Sequence, residues 1–155
     1  MNSNPLNLTI QSICSGDEDA VRELILNGLA EHFHELDPGL NPDLVDICAT
    51  YADAKFLVAS LNGRIVGWGA LVQGESGEAE VVRMSVAVDV RRQGVATAIL
   101  ERLCDEARKA GHYRVVLETN AEWANVVALY EKYGFQIRHY EDGDFGREAY
   151  FALDL

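Results

Sequence analysis

The segment Asp89 to Leu103, DVRRQGVATAILERL, sets two adjacent arginines and a glycine between an apolar, strand-like run and an amphipathic one. A turn that ends a strand and opens a helix leaves several main-chain N–H groups without intrahelical partners. Those groups point along the positive end of the helix dipole. Gly94 keeps the main chain open to close approach, Val95 and Ala96 add little bulk, and Arg91 and Arg92 add charge. Such a turn suits an anion. Taken alone, R-x-x-G-x-A is a short pattern, and a glycine relieving a tight turn beside solvated arginines would produce it equally. Two other phosphate loops do not fit. A P-loop needs Lys and then Ser or Thr after its last glycine, whereas Gly94 is followed by Val95, Ala96 and Thr97. A dinucleotide fingerprint needs three glycines near a first strand, and this turn has one, past mid-chain.

Other reactive side chains are weaker signals. His32 and His34, beside Glu31 and Glu35, have no third cluster of ligands and read as a solvated helix end, so no metal is implied. His112 and His139 stand singly. Cys14, Cys48 and Cys104 are odd in number, widely spaced and set among apolar neighbours, which is the usage of reduced, mostly buried thiols in a cytoplasmic protein. Trp68 could line a pocket, but a tryptophan within a strand more often belongs to the core.

At 155 residues, 48% hydrophobic and 25% charged, the chain is expected to form a single domain, residues 1–155, around one core. A net charge of -12 argues against nucleic acid and anionic membranes as partners; it favours cationic ligands or simply serves solubility. The first residues lack a charged start followed by an apolar stretch, and no apolar run is long enough to span a bilayer.

The elements that must position the arginine turn follow from periodicity. LNLTIQSIC alternates as a strand, SGDEDAVRELILNGLAEHF carries apolar residues at helical spacing, and DLVDICATYA gives a short second helix with Asp43 near its start. KFLVASLNGRIVGWGALV is a hairpin about Asn62-Gly63, and AEVVRMSVAV extends the sheet. Val95, Ile99, Leu103 and Ala107 then share a helical face that stops at Gly111. YRVVLET is a strand, so strand, helix and strand imply a parallel crossover. Thr119 with Glu122 forms a capping-box pattern ahead of a helix ending at Gly134, and a last hairpin turns at Asp142-Gly143-Asp144. The order β α α β β β α β α β β describes an α+β fold. Its mixed, mostly antiparallel sheet has about seven strands, with about four helices and one parallel β-α-β crossover.

Within that order, Arg91-Arg92-Gln93-Gly94-Val95-Ala96 resembles the Q/R-x-x-G-x-G/A motif of the GNAT superfamily of N-acetyltransferases. The strand VVRMSVAV stands before it, a helix follows, and LETNAEWANVVALYEKYGF is similar to the superfamily's next strand and helix. The likeness is close from Ala79 to Phe135; before about Lys55 only the pattern agrees. It implies that acetyl-CoA is the cosubstrate, its diphosphate held by Arg91, Arg92, Gln93, Gly94, Val95, Ala96 and the hydroxyl of Thr97. It also implies a bulged strand that parts from its neighbour, with Met84, Ser85 and Val86 beside the acetyl group and a main-chain N–H facing the thioester oxygen.

The same resemblance assigns the proton transfers. An acceptor amine with a pKa of about 10.4 is mostly protonated at neutral pH and needs a base, directly or through water. Glu80 matches where many relatives carry an acidic residue; Glu118 ends the neighbouring strand, and a merely solvated strand-end carboxylate is the competing reading of Glu80. Tyr130 matches the tyrosine whose hydroxyl approaches the coenzyme sulfur, although Trp123, Val126, Val127 and Tyr130 also form a stripe that would bury the ring structurally. Where many relatives place an asparagine, seven residues before the tyrosine, this chain has Trp123, leaving Asn120 or Asn125 for the pantetheine arm. The expected activity is acetyl transfer to a primary amine, either a small cationic molecule or a peptide amine, with a homodimer left open. A non-catalytic acyl-CoA binding or sensing domain is the alternative. A structural interaction domain would have no affinity for the coenzyme.

Overall fold

The computed structural model describes residues 8–13, 15–30, 47–51, 54–144 and 146–155. Cys14, the His32 and His34 pair and the expected helix start at Asp43 lie outside the described residues. The strands are β1 (Leu8–Ser12), β2 (Lys55–Leu61), β3 (Arg64–Gln73), β4 (Glu78–Val86), β5 (Arg114–Asn120), β6 (Gln136–Gly143) and β7 (Gly146–Asp154). The helices are α1 (Glu18–Ala30), α2 (Ile47–Thr50), α3 (Val95–Lys109) and α4 (Ala124–Tyr133). All seven strands join one sheet in the order β1-β2-β3-β4-β5-β7-β6, the expected α+β architecture. No described helix is long and apolar enough to cross a membrane.

Antiparallel pairing joins β1 to β2, β5 to β7 and β6 to β7. The connection between β2 and β3 is the Asn62-Gly63 turn, with φ of 53° and 82°, the left-handed pair that a two-residue hairpin demands. Only β4 and β5 pair in parallel, through Glu78–Glu80 against Arg114–Val116, and α3 makes the crossover between them.

By its contacts the chain divides into two compact units, Met1–Ala70 with Arg83–Leu103, and Leu71–Val82 with Cys104–Leu155. In the first, Gly67 and Gly69 of β3 lie under α3. A Cβ on Gly67 would stand 2.9 Å from Ile99 Cδ1 and 3.1 Å from Val95 Cγ1, and one on Gly69 would stand 2.9 Å from Met84 Sδ. Glycine is required there because the helix backs so closely onto the strand. Between them Trp68 is a core residue, 1% exposed, and its indole Nε1 is buried without a hydrogen-bond partner among the described residues. The expected stripe of α3 is fully internal: Val95, Ile99, Leu103 and Ala107 are each at most 2% exposed.

In the second unit the buried residues Val115, Leu117, Ala149 and Phe151 alternate with the more accessible Arg114, Val116, Glu118, Glu148 and Tyr150. At one end of the polar face Arg114 reaches Asp154 at 2.7 Å and Glu78 at 3.3 Å, which ties β4, β5 and β7 together. Gly111 (φ 86°) stops α3, with His112 N–H returning to the Ala107 carbonyl, and Gly134 (φ 127°) stops α4, with Phe135 N–H on the Tyr130 carbonyl.

Two local expectations are corrected. The capping box does not form: β5 pairs with β7 as far as Asn120↔Glu148, so Thr119 is buried in the strand. The N-cap of α4 is Trp123, without a side-chain cap, and Asn120 Oδ1 accepts from Glu122 N–H at 2.9 Å in the intervening turn. Strand pairing here overrides a local helix signal. The last hairpin likewise turns beyond Gly143, because the ladder continues to Gly143↔Gly146.

Since Ile99 is fully buried and cannot withdraw freely, Gly67→Ala is expected to destabilise the fold by about 1–3 kcal/mol through overpacking. A lowered urea midpoint with unchanged slope would show it.

Candidate functional site

Pairing of β3 with β4 carries the chain into the arginine turn. Ala87 N–H donates to the Val66 carbonyl at 2.7 Å, after which a 3-10 turn, Val88–Val90, leads to Arg91. Arg92 (φ 65°) and Gly94 (φ 86°) are both left-handed, with Gln93 between them. Alternation of right- and left-handed residues is how main-chain anion nests are built. Gly94 is the N-cap of α3, its carbonyl accepting from Ala98 N–H at 3.0 Å, and a Cβ on Gly94 would meet no atom within 4 Å.

The decisive feature is a set of absent bonds. Among the described residues, the main-chain N–H groups of Arg92, Gln93, Gly94, Val95, Ala96 and Thr97 have no acceptor. They are consecutive, they open a helix of 15 residues, and Arg91, Arg92, Gln93, Gly94 and Thr97 are exposed. The turn expected between the strand and the helix is present, with these donors unspent. Arg92 holds its left-handed conformation although it is not glycine, at a cost of about 1–2 kcal/mol. Side chains brace the turn from within: Arg91 Nε lies 3.4 Å from the Val86 carbonyl and Gln93 Nε2 lies 3.5 Å from the Asp89 carbonyl. Asp89 itself is gripped at both oxygens by Arg64, at 2.7 and 2.8 Å. Sequence reasoning missed that pair, because only the β3–β4 register brings positions 64 and 89 together.

Upstream, Arg83 has a φ of 57° within β4, which interrupts the strand just before Met84, Ser85 and Val86. Those three residues are half-buried, and the parallel ladder to β5 involves only residues before them. Since Ala87 N–H faces β3, strand alternation turns the Val86 N–H to the other side.

The titratable candidates belong to the second unit. Tyr130 on α4 is 5% exposed, packed edge-on to Phe135 and tilted against Phe151, with ring centroids 5.8 and 5.7 Å away. Its hydroxyl has no hydrogen-bond partner among the described residues, and burial pushes its pKa up, so the phenol stays protonated. Tyr133, on the next turn, is half-buried and bonds to the Cys104 thiol instead.

Glu80 is half-buried, and its pKa is raised first by burial and then by the charge of Glu118. Glu148 is raised by the same two causes in the same order. Glu118 lies opposite Tyr150, which hydrogen-bonds with Glu118 and Glu141, holding its proton more tightly, and stacks on His139 at 4.5 Å. Glu118, Glu148 and Tyr150 therefore form a polar cluster with Glu80 that sequence spacing did not reveal. Asn120 is buried, with its carbonyl oxygen committed to Glu122; Asn125 is exposed on α4.

A carboxyl whose pKa is higher folded than unfolded contributes stability below its unfolded pKa and loses it as pH rises through the folded value. Glu80→Gln is therefore expected to raise the melting temperature at pH 8, with the gain gone by about pH 4, where the native carboxyl is protonated. Thermal scans of both proteins across that range check it.

Comparison with known proteins then places the chain. The model of the acetyltransferase (GNAT) family matches residues 21–135. An IAA acetyltransferase of Azospirillum brasilense is 39% identical over 131 residues, covering 83% of this chain and 82% of that protein. The [ribosomal protein bS18]-alanine N-acetyltransferase of Escherichia coli K12 is 37% identical over 98 residues, 61% of this chain and 66% of that one. A Salmonella typhimurium acetyltransferase, yncA, solved with its cofactor acetyl-CoA, shares the fold with a TM-score of 0.76 at 19% identity, covering 96% of this chain and 94% of that one. By its family match, its relatives and its fold, the chain belongs to the acetyltransferase (GNAT) family and is an acetyl-CoA-dependent N-acetyltransferase.

Proposed function

We propose that the chain passes acetyl from acetyl-CoA to a primary amine by direct attack, with the diphosphate seated on the turn from Arg91 to Thr97. The observation that carries this reading is the row of unspent N–H groups at the mouth of α3, beside two arginines, in a molecule of net charge -12. Acetyl-CoA, when bound, supplies the activated acetyl thioester. Gly94 leaves room for close approach, Thr97 adds a hydroxyl, and the main chain of Met84, Ser85 and Val86 lies along the pantetheine arm. A main-chain N–H of that segment faces the carbonyl oxygen as charge grows on it.

Glu80 accepts the proton that the amine must shed, directly or through water. Its raised pKa makes it a better base than a solvated carboxylate. Tyr130 donates its hydroxyl proton to the departing sulfur, and the proton given up by the amine restores it through solvent, so that amine and thioester yield amide and thiol. Burial suits Tyr130 to this part because it keeps the phenol protonated and its donor unspent. Of the two asparagines Asn125 is the one assigned a coenzyme contact, because it is exposed at the first turn of α4 while Asn120 is buried with its oxygen engaged.

The acceptor is a small cationic amine or a peptide amine. The polar cluster of Glu80, Glu118 and Glu148 supports a cation. The relatives named for IAA and for a ribosomal-protein alanine support a small molecule and a peptide, respectively.

Coenzyme A at a hundred times its dissociation constant should stabilise the protein by about 2.7 kcal/mol. Thiol release from acetyl-CoA across polyamines, amino acids, aminoglycosides and alanine-ended peptides then identifies the acceptor. Tyr130→Phe should lower kcat by about a hundredfold while leaving the coenzyme-induced stabilisation in place. An unchanged kcat removes Tyr130 as the acid, and stabilisation without turnover on any amine favours a binding domain over an enzyme.

A further inference from the structure

The segment from Val88 to Thr97 contains one acidic residue, Asp89, two positions before Arg91 and three before Arg92. Asp89 is close enough in sequence for its carboxylate to compete for Arg92 and to set its negative charge beside an anion bound at the turn. It does neither. Both of its carboxylate oxygens are taken by Arg64, whose NH1 and NH2 stand 2.7 and 2.8 Å away in a fork-on-fork pair. The partners meet because of register. Ala87 N–H donates to the Val66 carbonyl, and Asp89, in the 3-10 turn two residues on, comes beside Arg64 at the start of β3.

The pairing holds Asp89 well below the usual carboxylate range, chiefly through the Arg64 hydrogen bonds. Arg92 makes no side-chain hydrogen bond or ion pair among the described residues. The two cations thus have separate roles. Arg64 cancels the local carboxylate, and Arg92 stays open to a ligand.

We infer that Arg64 is a positioning residue of the coenzyme site, holding Asp89 so that the carboxylate neither captures Arg92 nor repels the diphosphate. This rests on the diphosphate lying at the turn, as proposed above. Both partners are exposed, their side chains 54% and 62% accessible, so the pair contributes little to folding; its effect is on the charge that an arriving anion meets. Substituting Arg64 with a neutral residue would release an internal competitor for Arg92, and removing the competitor as well would restore the site.

The test is the steady-state kinetics and equilibrium binding of Arg64→Gln and of the double variant Arg64→Gln/Asp89→Asn. Each is assayed with acetyl-CoA and with S-acetylpantetheine, which lacks the diphosphate. At low salt Arg64→Gln should raise KM and Kd for acetyl-CoA about fivefold, with the difference shrinking as salt is added. Its kcat, its melting temperature and its kinetics with S-acetylpantetheine should match those of the native protein. The double variant should recover most of the lost affinity. Unchanged acetyl-CoA affinity in Arg64→Gln overturns the inference. So does a double variant as weak as the single one, or an equal loss with S-acetylpantetheine, since either would make Arg64 a ligand contact or a fold element. Native protein that binds neither coenzyme A nor acetyl-CoA removes the placement of the diphosphate itself, and this inference with it.

Discussion

An N–H group without an acceptor is costly unless water or a ligand meets it, and among the described residues six without one stand together at one helix mouth. Helix α3 could have been capped by a side chain, as most helices are. Instead its N-cap is Gly94, which has no side chain to offer, and the turn coils through two left-handed conformations, at Arg92 and at Gly94 itself. An L-residue, Arg92, is held in one of these. Neither feature benefits the fold. On the proposed reading both are preorganisation: the strain and the unmade bonds are borne in advance of the diphosphate.

Holding such a turn open requires a rigid support, and the sheet supplies it. The Ala87–Val66 hydrogen bond fixes the last residues before the turn, and Gly67 and Gly69 let α3 press onto β3 so closely that its first buried residue, Val95, lies immediately after the glycine cap. The Arg64–Asp89 pair adds an electrostatic device to the mechanical one. In a protein with 25 acidic and 13 basic residues, an anion site has to be cleared of its own neighbours before it can be filled. In the second unit carboxylates gather instead: Glu80 and Glu148 hold their protons more tightly, first through burial and then through the charge of Glu118.

What was legible in the sequence was whatever depends on local geometry. Asn62-Gly63 announced a hairpin because few other residues accept positive φ, and the glycines after α3 and α4 announced helix ends for the same reason. The spacing of Val95, Ile99, Leu103 and Ala107 identified a buried face, and Arg91 to Gly94 marked the turn that opens α3. Pairings set by register were not legible. The partnership of Arg64 with Asp89, and of Glu118 with Tyr150, spans 25 and 32 positions and exists only once the strands are aligned. The Thr119–Glu122 capping pattern misled for a related reason: the long β5–β7 ladder holds Thr119 in extended form, and Asn120 serves the turn in its place. Trp123 occupies the N-cap of α4 without a side-chain cap, a role its residue type did not announce.

The central claim concerns main-chain donors, so the most direct measurement is amide hydrogen exchange along Arg91–Thr97 with and without coenzyme A. With no acceptor in the free protein, the amides of Arg92 to Thr97 should exchange rapidly, and saturating coenzyme should slow them more than any other stretch of the chain. Saturated protein in which those amides exchange as fast as before, with protection appearing elsewhere, would contradict the placing of the diphosphate at this turn.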